Sequence, residues 1–198
     1  MSSNAAPAEQ STADEILDVA QELIQTVGFD GFSYRDIADR VGIKSASIHY
    51  HFPAKADLAL AAARRYRLDF NTTVHALDEE SDPLEQLTGF AEIFQNTLES
   101  RNRVCLCGML ASEAASVPEP VTVETTAFFD DQQTWISKTI EAGIESGMIS
   151  PGIHPDAFAR IFLSALEGAM IMAHSIQRPE HLREVASQLI SLLRVNPQ

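Results

Sequence analysis

Within the run from Ser33 to Leu58 a single glycine divides two short amphipathic segments, and that arrangement leaves few folds open. Ser33 is a good N-cap, because its hydroxyl can accept from an otherwise unpaired N–H of the first turn. Ile37, Ala38 and Val41 then recur at helical spacing on one face. Gly42 ends that helix where a left-handed residue costs least. A second helix is expected from Lys44 to Tyr50, with Ile48 inward and Pro53 closing it. Two short helices joined by a tight glycine turn make a helix-turn-helix unit. Its second helix would expose Lys44, Ser45, Ser47, His49 and Tyr50, all able to hydrogen-bond phosphates or base edges. Ala46 adds a small apolar surface that can touch a thymine methyl. An ordinary pair of packed helices would carry the same pattern, so spacing alone leaves both readings open.

The residues themselves narrow the choice. The runs Asp36-Ile37-Ala38, Val41-Gly42-Ile43 and Ile48-His49-Tyr50-His51-Phe52-Pro53-Ala54-Lys55 resemble the DNA-binding domain of the TetR (tetracycline-repressor-like) transcriptional regulators, over about the first third of the chain. Two positions depart from that pattern. Lys44 stands where the family usually places Ser or Thr as a helix cap, which would shift the cap to Ser45, and His49 stands where tyrosine is common. The resemblance implies that Ser33, Tyr34, Arg35, Tyr50 and Lys55 position DNA phosphates, while Lys44, Ser45, Ala46, Ser47 and His49 face the bases.

A formal charge of −14 argues against DNA until its distribution is considered. Residues 33–67 carry seven Lys or Arg against three Asp, a net +4, whereas residues 68–198 carry a net −12. Salt screens charges beyond about 8–10 Å, so the local potential decides phosphate binding. A basic head on an acidic body is compatible with DNA.

Helical periodicity continues along the chain. Thr12 with Glu15 suggests a capping box, followed by an apolar stripe through Ile16, Ala20, Leu23 and Val27, with Phe29 and Phe32 locking this helix onto the next pair. A rod over residues 54–77 would span roughly 36 Å and could carry movement from body to head. Asp82 caps a helix beginning at Pro83, and further helices are expected over 105–116, 121–147, from near Pro155, and after Pro179. No strand-like alternation appears, and the expected fold is all-α. It divides into an arm over 1–11, a helix-turn-helix domain over 12–53 and a helical effector-binding and dimerisation domain over 54–198. The first ten residues lack the regions of a signal peptide and no apolar run approaches a membrane span, so a disordered arm and a cytoplasmic protein without membrane contact are expected.

In the body, Phe90, Phe94, Phe128, Trp135, Phe162 and Met170 could line an apolar cavity for a small effector, or simply fill the core. The run from Cys105 to Glu113 resembles the sixth-helix segment of TetR regulators, which borders the effector pocket and abuts the head, and this adds Cys107, Met109 and Glu113 as pocket candidates. Phe158, Ile161, Ala165 and Met172, with Leu182, Val185 and Leu189, give the last two helices more apolar surface than one small core needs. Two such helices can pair with their copies across a two-fold axis, making a homodimer through a four-helix interface. Cys105 and Cys107 lack zinc-ligand spacing; packing is their ordinary role, and a thiol-based redox or electrophile sensor is the alternative. His174 fits a hydrogen-bonded interface residue, and Glu113 and Glu167 are unusual within apolar helices. No catalytic triad, phosphate-cradling loop or metal motif is visible, so no enzyme activity, cofactor or metal is expected. The expected function is a homodimeric repressor released from a pseudo-palindromic operator by a small-molecule effector.

Overall fold

A computed structural model of the chain describes residues 11–80, 82–100 and 102–195. Apart from Ser11, the expected disordered arm lies outside the described residues. Helix α1 (Thr12–Val27) is capped one residue earlier than expected: the Ser11 hydroxyl accepts the Asp14 N–H at 3.2 Å, so neither Thr12 nor Glu15 forms the cap. Helix α2 (Tyr34–Val41) ends at Gly42, whose φ of 80° and ψ of 29° are the left-handed values its position required. Ser33 is the N-cap of α2 in a capping box with Asp36, whose Oδ2 accepts the Ser33 N–H at 2.7 Å and the Ser33 hydroxyl at 2.6 Å. Helix α3 (Ser45–His51) is capped by Lys44, not Ser45: extended backbone at Lys44 lets its carbonyl accept the Ser47 N–H at 2.9 Å.

Helix α4 (Lys55–Ala76) is the long rod, prolonged by a 3-10 turn over Leu77–Glu79. Helix α5 (Pro83–Glu99) starts on its Asp82 cap, which accepts the Leu84 N–H at 2.8 Å. Helix α6 (Leu106–Ser112) is shorter than the expected 105–116. Beyond Ser112 the Glu113 N–H reaches back only three residues, to Leu110 at 3.2 Å, and the chain turns to bury Val117. Helices α7 (Glu119–Glu145), α8 (Pro155–Ile176) and α9 (Glu180–Leu193) complete the body. A lone antiparallel bridge joins Ile149 to Arg194, and no strand occurs among the described residues. The all-α expectation holds.

In the head, Ile16, Ala20, Ile37 and Ile48 from α1 to α3 close a small core, and α1 packs along α4 and α6. In the body, α7 lies against α4 and α8, and α9 covers α5 and α8. The core there is aromatic. Phe70 sits at its centre, with ring centroids 5.0 Å from Phe128, 5.7 Å from Phe94 and 6.0 Å from Phe90, while Phe90 stacks on Trp135 at 5.5 Å.

One helix stands out for its apolar length, though Asp156, Arg160 and Glu167 interrupt it. Helix α8 is long and apolar enough to cross a membrane by length and composition, with a mean hydropathy of 1.3 over its most apolar window. Only 39% of that window is buried. The excess comes from two apolar faces, one in the core and one outward.

Candidate nucleic-acid interface

The outer surface of the head is built on α3, whose one buried residue is Ile48. That anchor turns Lys44, Ala46, His49 and Tyr50 outward, with Ser45 and Ser47 half-buried between them. Tyr50 is 83% exposed and meets the His51 ring edge-on at 5.2 Å. His51, which was not singled out in sequence as a contact, therefore stands on the same surface. Ser33 and Arg35 are exposed at the start of α2. Tyr34 is less available: its hydroxyl donates to the Phe52 carbonyl at 2.8 Å, its ring lies 4.6 Å from that of His49, and burial pushes its pKa up to about 12. It holds the end of α3 in place.

The basic residues are more committed than their count suggests. Arg40 pairs with Glu22 at 3.1 Å, Arg65 with Asp18 at 2.7 Å, and Arg64 and Arg67 with Glu124 at 3.2 and 2.7 Å. Four of the seven cations of residues 33–67 thus have carboxylate partners from outside that segment. Lys44 has no ion pair among the described residues, and Arg35 has only a 4.0 Å contact with Asp39 across open solvent. The usable positive charge is concentrated on these two side chains.

Lys55 is turned inward. Its ammonium donates to the Phe32 carbonyl and lies 4.2 Å from the centroid of the Phe32 ring and 4.9 Å from that of Phe29. Burial lowers its pKa, against the raising influence of Asp30, Glu113 and Asp36. Glu113 acts on the same loop from the body. The Phe29 N–H donates to Glu113 Oε2 at 2.6 Å, and a β-carbon on Gly28, where φ is +80°, would collide with that carboxyl. Beside it, Gln25 Nε2 donates to the Val104 carbonyl at 2.9 Å and the Val104 N–H donates to the Gln25 carbonyl at 3.3 Å. The loop between α1 and α2 is gripped by α4 on one side and by the end of α6 on the other.

The body places the remaining sequence candidates as follows. Phe90, Phe94, Phe128 and Phe162 are fully buried, Phe90 packing on Phe94 and Phe162 and Phe128 on Phe70, with Met170 beside Cys105. A groove of about 320 Å³ lies elsewhere, between α5 and α9 along Ala91, Gln95, Leu182 and Ala186. A second, of about 240 Å³, runs between α4 and α7 beside Asn71, His75 and Gln132 and borders one pocket candidate, Trp135. Glu113 stands apart from these aromatics, at the head, and Met109 is half-buried. His174 faces the Asn102 carbonyl at 3.0 Å.

Both cysteines are buried and free, and burial together with Glu167 holds their thiols well above the usual range. The thiolate is the reactive form, so burial leaves both cysteines unreactive. The structure offers the redox alternative no support.

On the last two helices, Ile161 and Met172 are exposed at 56% and 54%, and Ala165, Val185 and Leu189 are half-buried. Phe158 and Leu182 belong to the protomer's own core. Ile171, Ile176 and Leu192, absent from the sequence reading, are exposed and extend the apolar face.

A helix-turn-helix head carrying its free cations on the recognition side, joined through a long helix to a helical body, is a DNA-binding transcriptional regulator. Comparison with known proteins agrees. Residues 16–62 match the family described as bacterial regulatory proteins, tetR family, and residues 83–189 match the tetracyclin repressor-like C-terminal domain. The chain belongs to the TetR family. It is 29% identical over 153 residues to the HTH-type transcriptional repressor KstR2 of Mycolicibacterium smegmatis, an alignment covering 76% of this chain and 73% of that protein. It is 25% identical over 184 residues to the transcriptional regulator AcuR of Cereibacter sphaeroides, covering 89% and 83%. The crystal structure of a TetR-family regulator from Agrobacterium tumefaciens superposes with a TM-score of 0.89 at 33% identity, covering 92% of this chain and 97% of that one.

Proposed function

We propose that this regulator is a homodimeric repressor that leaves a pseudo-palindromic operator when a small molecule occupies its body. Each protomer lays α3 in a major groove, with half-sites about one helical turn apart. Lys44, Ser45, Ala46, Ser47 and His49 face the bases, and Ser33, Arg35 and Tyr50 contact phosphates. Tyr34 and Lys55 act from behind, by fixing the Phe52 and Phe32 carbonyls. The protein works in the cytoplasm, on chromosomal DNA.

The observation that carries this reading is the outward presentation of α3 around its single buried anchor, Ile48, with Tyr50 clear of the core. Pairing through α8 and α9 is supported by the apolar residues left uncovered there. Response to an effector is supported by the grip of α4 and α6 on the head loop, because any ligand that prefers one arrangement of those helices shifts the head with it. The test is a fluorescence-anisotropy titration against the intergenic DNA upstream of the protein's own gene and against random DNA, across a salt series. A preference of about 10³-fold or more for the upstream DNA is expected. Equal weak binding to both, unchanged by cell extract, would overturn the reading.

A further inference from the structure

Below the head, residues of α4, α6 and α8 meet around a carboxyl group with one unpartnered oxygen. The stem of Glu167 reaches the surface, but its Oε1 is closed off from solvent and has no hydrogen-bond partner among the described residues. Its other oxygen lies against Gly108, where a β-carbon would collide with it, so the glycine lets the α8 carboxyl rest directly on α6. Cys105 and the Tyr66 hydroxyl lie behind it, and the Cys105 sulfur accepts the Gly108 N–H at 3.4 Å.

The titratable groups facing Glu167 are Tyr66 from α4 and Cys105 and Cys107 from α6, none of them cationic. Arg67, whose charge acts on Cys107, is held by Glu124 at 2.7 Å and Asp131 at 2.8 Å, and His174 on α8 faces the Asn102 carbonyl. Burial accordingly pushes the Glu167 carboxyl up to about 7. An unpaired oxygen of this kind is costly to keep, and native proteins rarely keep one without a use.

We propose that Glu167 is the anchor of the effector site and that the effector carries a protonated amine on an apolar body. The amine N–H donates to Oε1 and supplies the counter-charge that the fold withholds. A neutral hydroxyl could fill the hydrogen bond but not the charge. The apolar body takes space from the aromatic packing beside Tyr66, whose ring lies 5.9 Å from Phe70 and 5.7 Å from Phe128 and presents faces that attract a cation. The inference rests on the reading of the body as an effector domain, and it adds the chemical class of the ligand.

Calorimetric titration of the full chain with 4-phenylbutylamine and, separately, with 4-phenylbutan-1-ol tests it. At pH 8 the amine should bind at least about tenfold more tightly than the alcohol, and the preference should shrink at pH 5.5 as Glu167 takes up its proton. Glu167→Gln keeps the shape and should lose the preference; its melting temperature and sedimentation are recorded alongside. If that variant does not fold, the pH dependence of the wild type carries the test. Equal binding of amine and alcohol, binding of neither, or an amine preference retained in Glu167→Gln would overturn the proposal. Loss of the dimer in Glu167→Gln, with no amine preference in the wild type, would also overturn it by assigning the oxygen to a donor of the second copy. A parallel operator titration separates the two readings. Glu167-dependent amine binding without operator recognition would sink the repressor and spare the anchor, whereas operator recognition untouched by the amine would do the reverse.

Discussion

Cys105, Cys107 and Glu167 share one environment, and burial disfavours the anion of all three, the charge of Arg67 on Cys107 being too weak to reverse it. The thiols should therefore resist Ellman's reagent in the native protein and react orders of magnitude faster in denaturant; rapid native labelling would contradict their burial. For Glu167 the folded pKa is about 7 against an ordinary 4.5, so folding favours the protonated form. Its full contribution is present below pH 4.5 and is lost as pH rises from there through 7, a difference of roughly 3 kcal/mol. Urea midpoints at pH 5 and pH 8 should show the decline, and Glu167→Gln should flatten it. Lysines 44 and 55 part company in the same way. Lys44→Ala should cost about 1–3 kcal/mol of operator affinity and relax the preference for a base pair, as loss of a base contact does, while Arg35→Ala should lower the salt slope of DNA binding by about one, as loss of a phosphate contact does. Lys55→Ala should leave the slope nearly unchanged and lower the melting temperature of the head, because its ammonium is spent on Phe32 and two rings.

Among the elements, α6 does most with least. Seven residues long, it touches α1, α4 and α7, carries Cys105 at its start, and ends on the Glu113 carboxylate that binds the Phe29 N–H. A short helix between two such fixed points transmits displacement, since neither end can move alone. Glu113→Ala should cost about 1.5–3 kcal/mol, as loss of a charge-assisted hydrogen bond does, and should speed hydrogen exchange at the Phe29 amide while α3 amides keep their protection. Unchanged exchange at Phe29 would mean that the contact carries no load. Gly28→Ala should be worse than neutral by more than about 1 kcal/mol, because the left-handed backbone and the Glu113 carboxyl both exclude a side chain there. How legible these elements were depended on the range of the forces that shape them. Periodicity and caps are local, so α1 to α5 and α7 to α9 fall within a few residues of where the sequence puts them. The end of α6, where the Glu113 N–H turns back to Leu110 and Val117 is buried, carries no such local signal in the sequence.

At the scale of the whole molecule, the exposed apolar residues of α8 and α9, among them Ile161, Ile171, Met172 and Leu192, are what the proposed pairing would cover. Ile171→Glu combined with Met172→Glu should give a folded monomer in sedimentation equilibrium, with operator affinity falling as the two half-sites lose their linked heads; a persistent dimer would place the interface elsewhere. The acidic body and basic tip also reach their balance only in three dimensions. Counting charges gives residues 33–67 a net +4, but Asp18, Glu22, Glu124 and Asp131 return to pair with four of those cations, leaving Lys44 without an ion pair among the described residues and Arg35 with its exposed Asp39 contact alone. The sequence alone determined the helices, the helix-turn-helix unit and the family, because each is written in spacings of three to seven residues and in one glycine that must turn left-handed. Tertiary structure decided which cations stay free, that Lys55 turns inward, that Glu113 holds the head and that Glu167 is left unpaired. Each of those depends on partners that only packing brings together, at sequence separations no local pattern records.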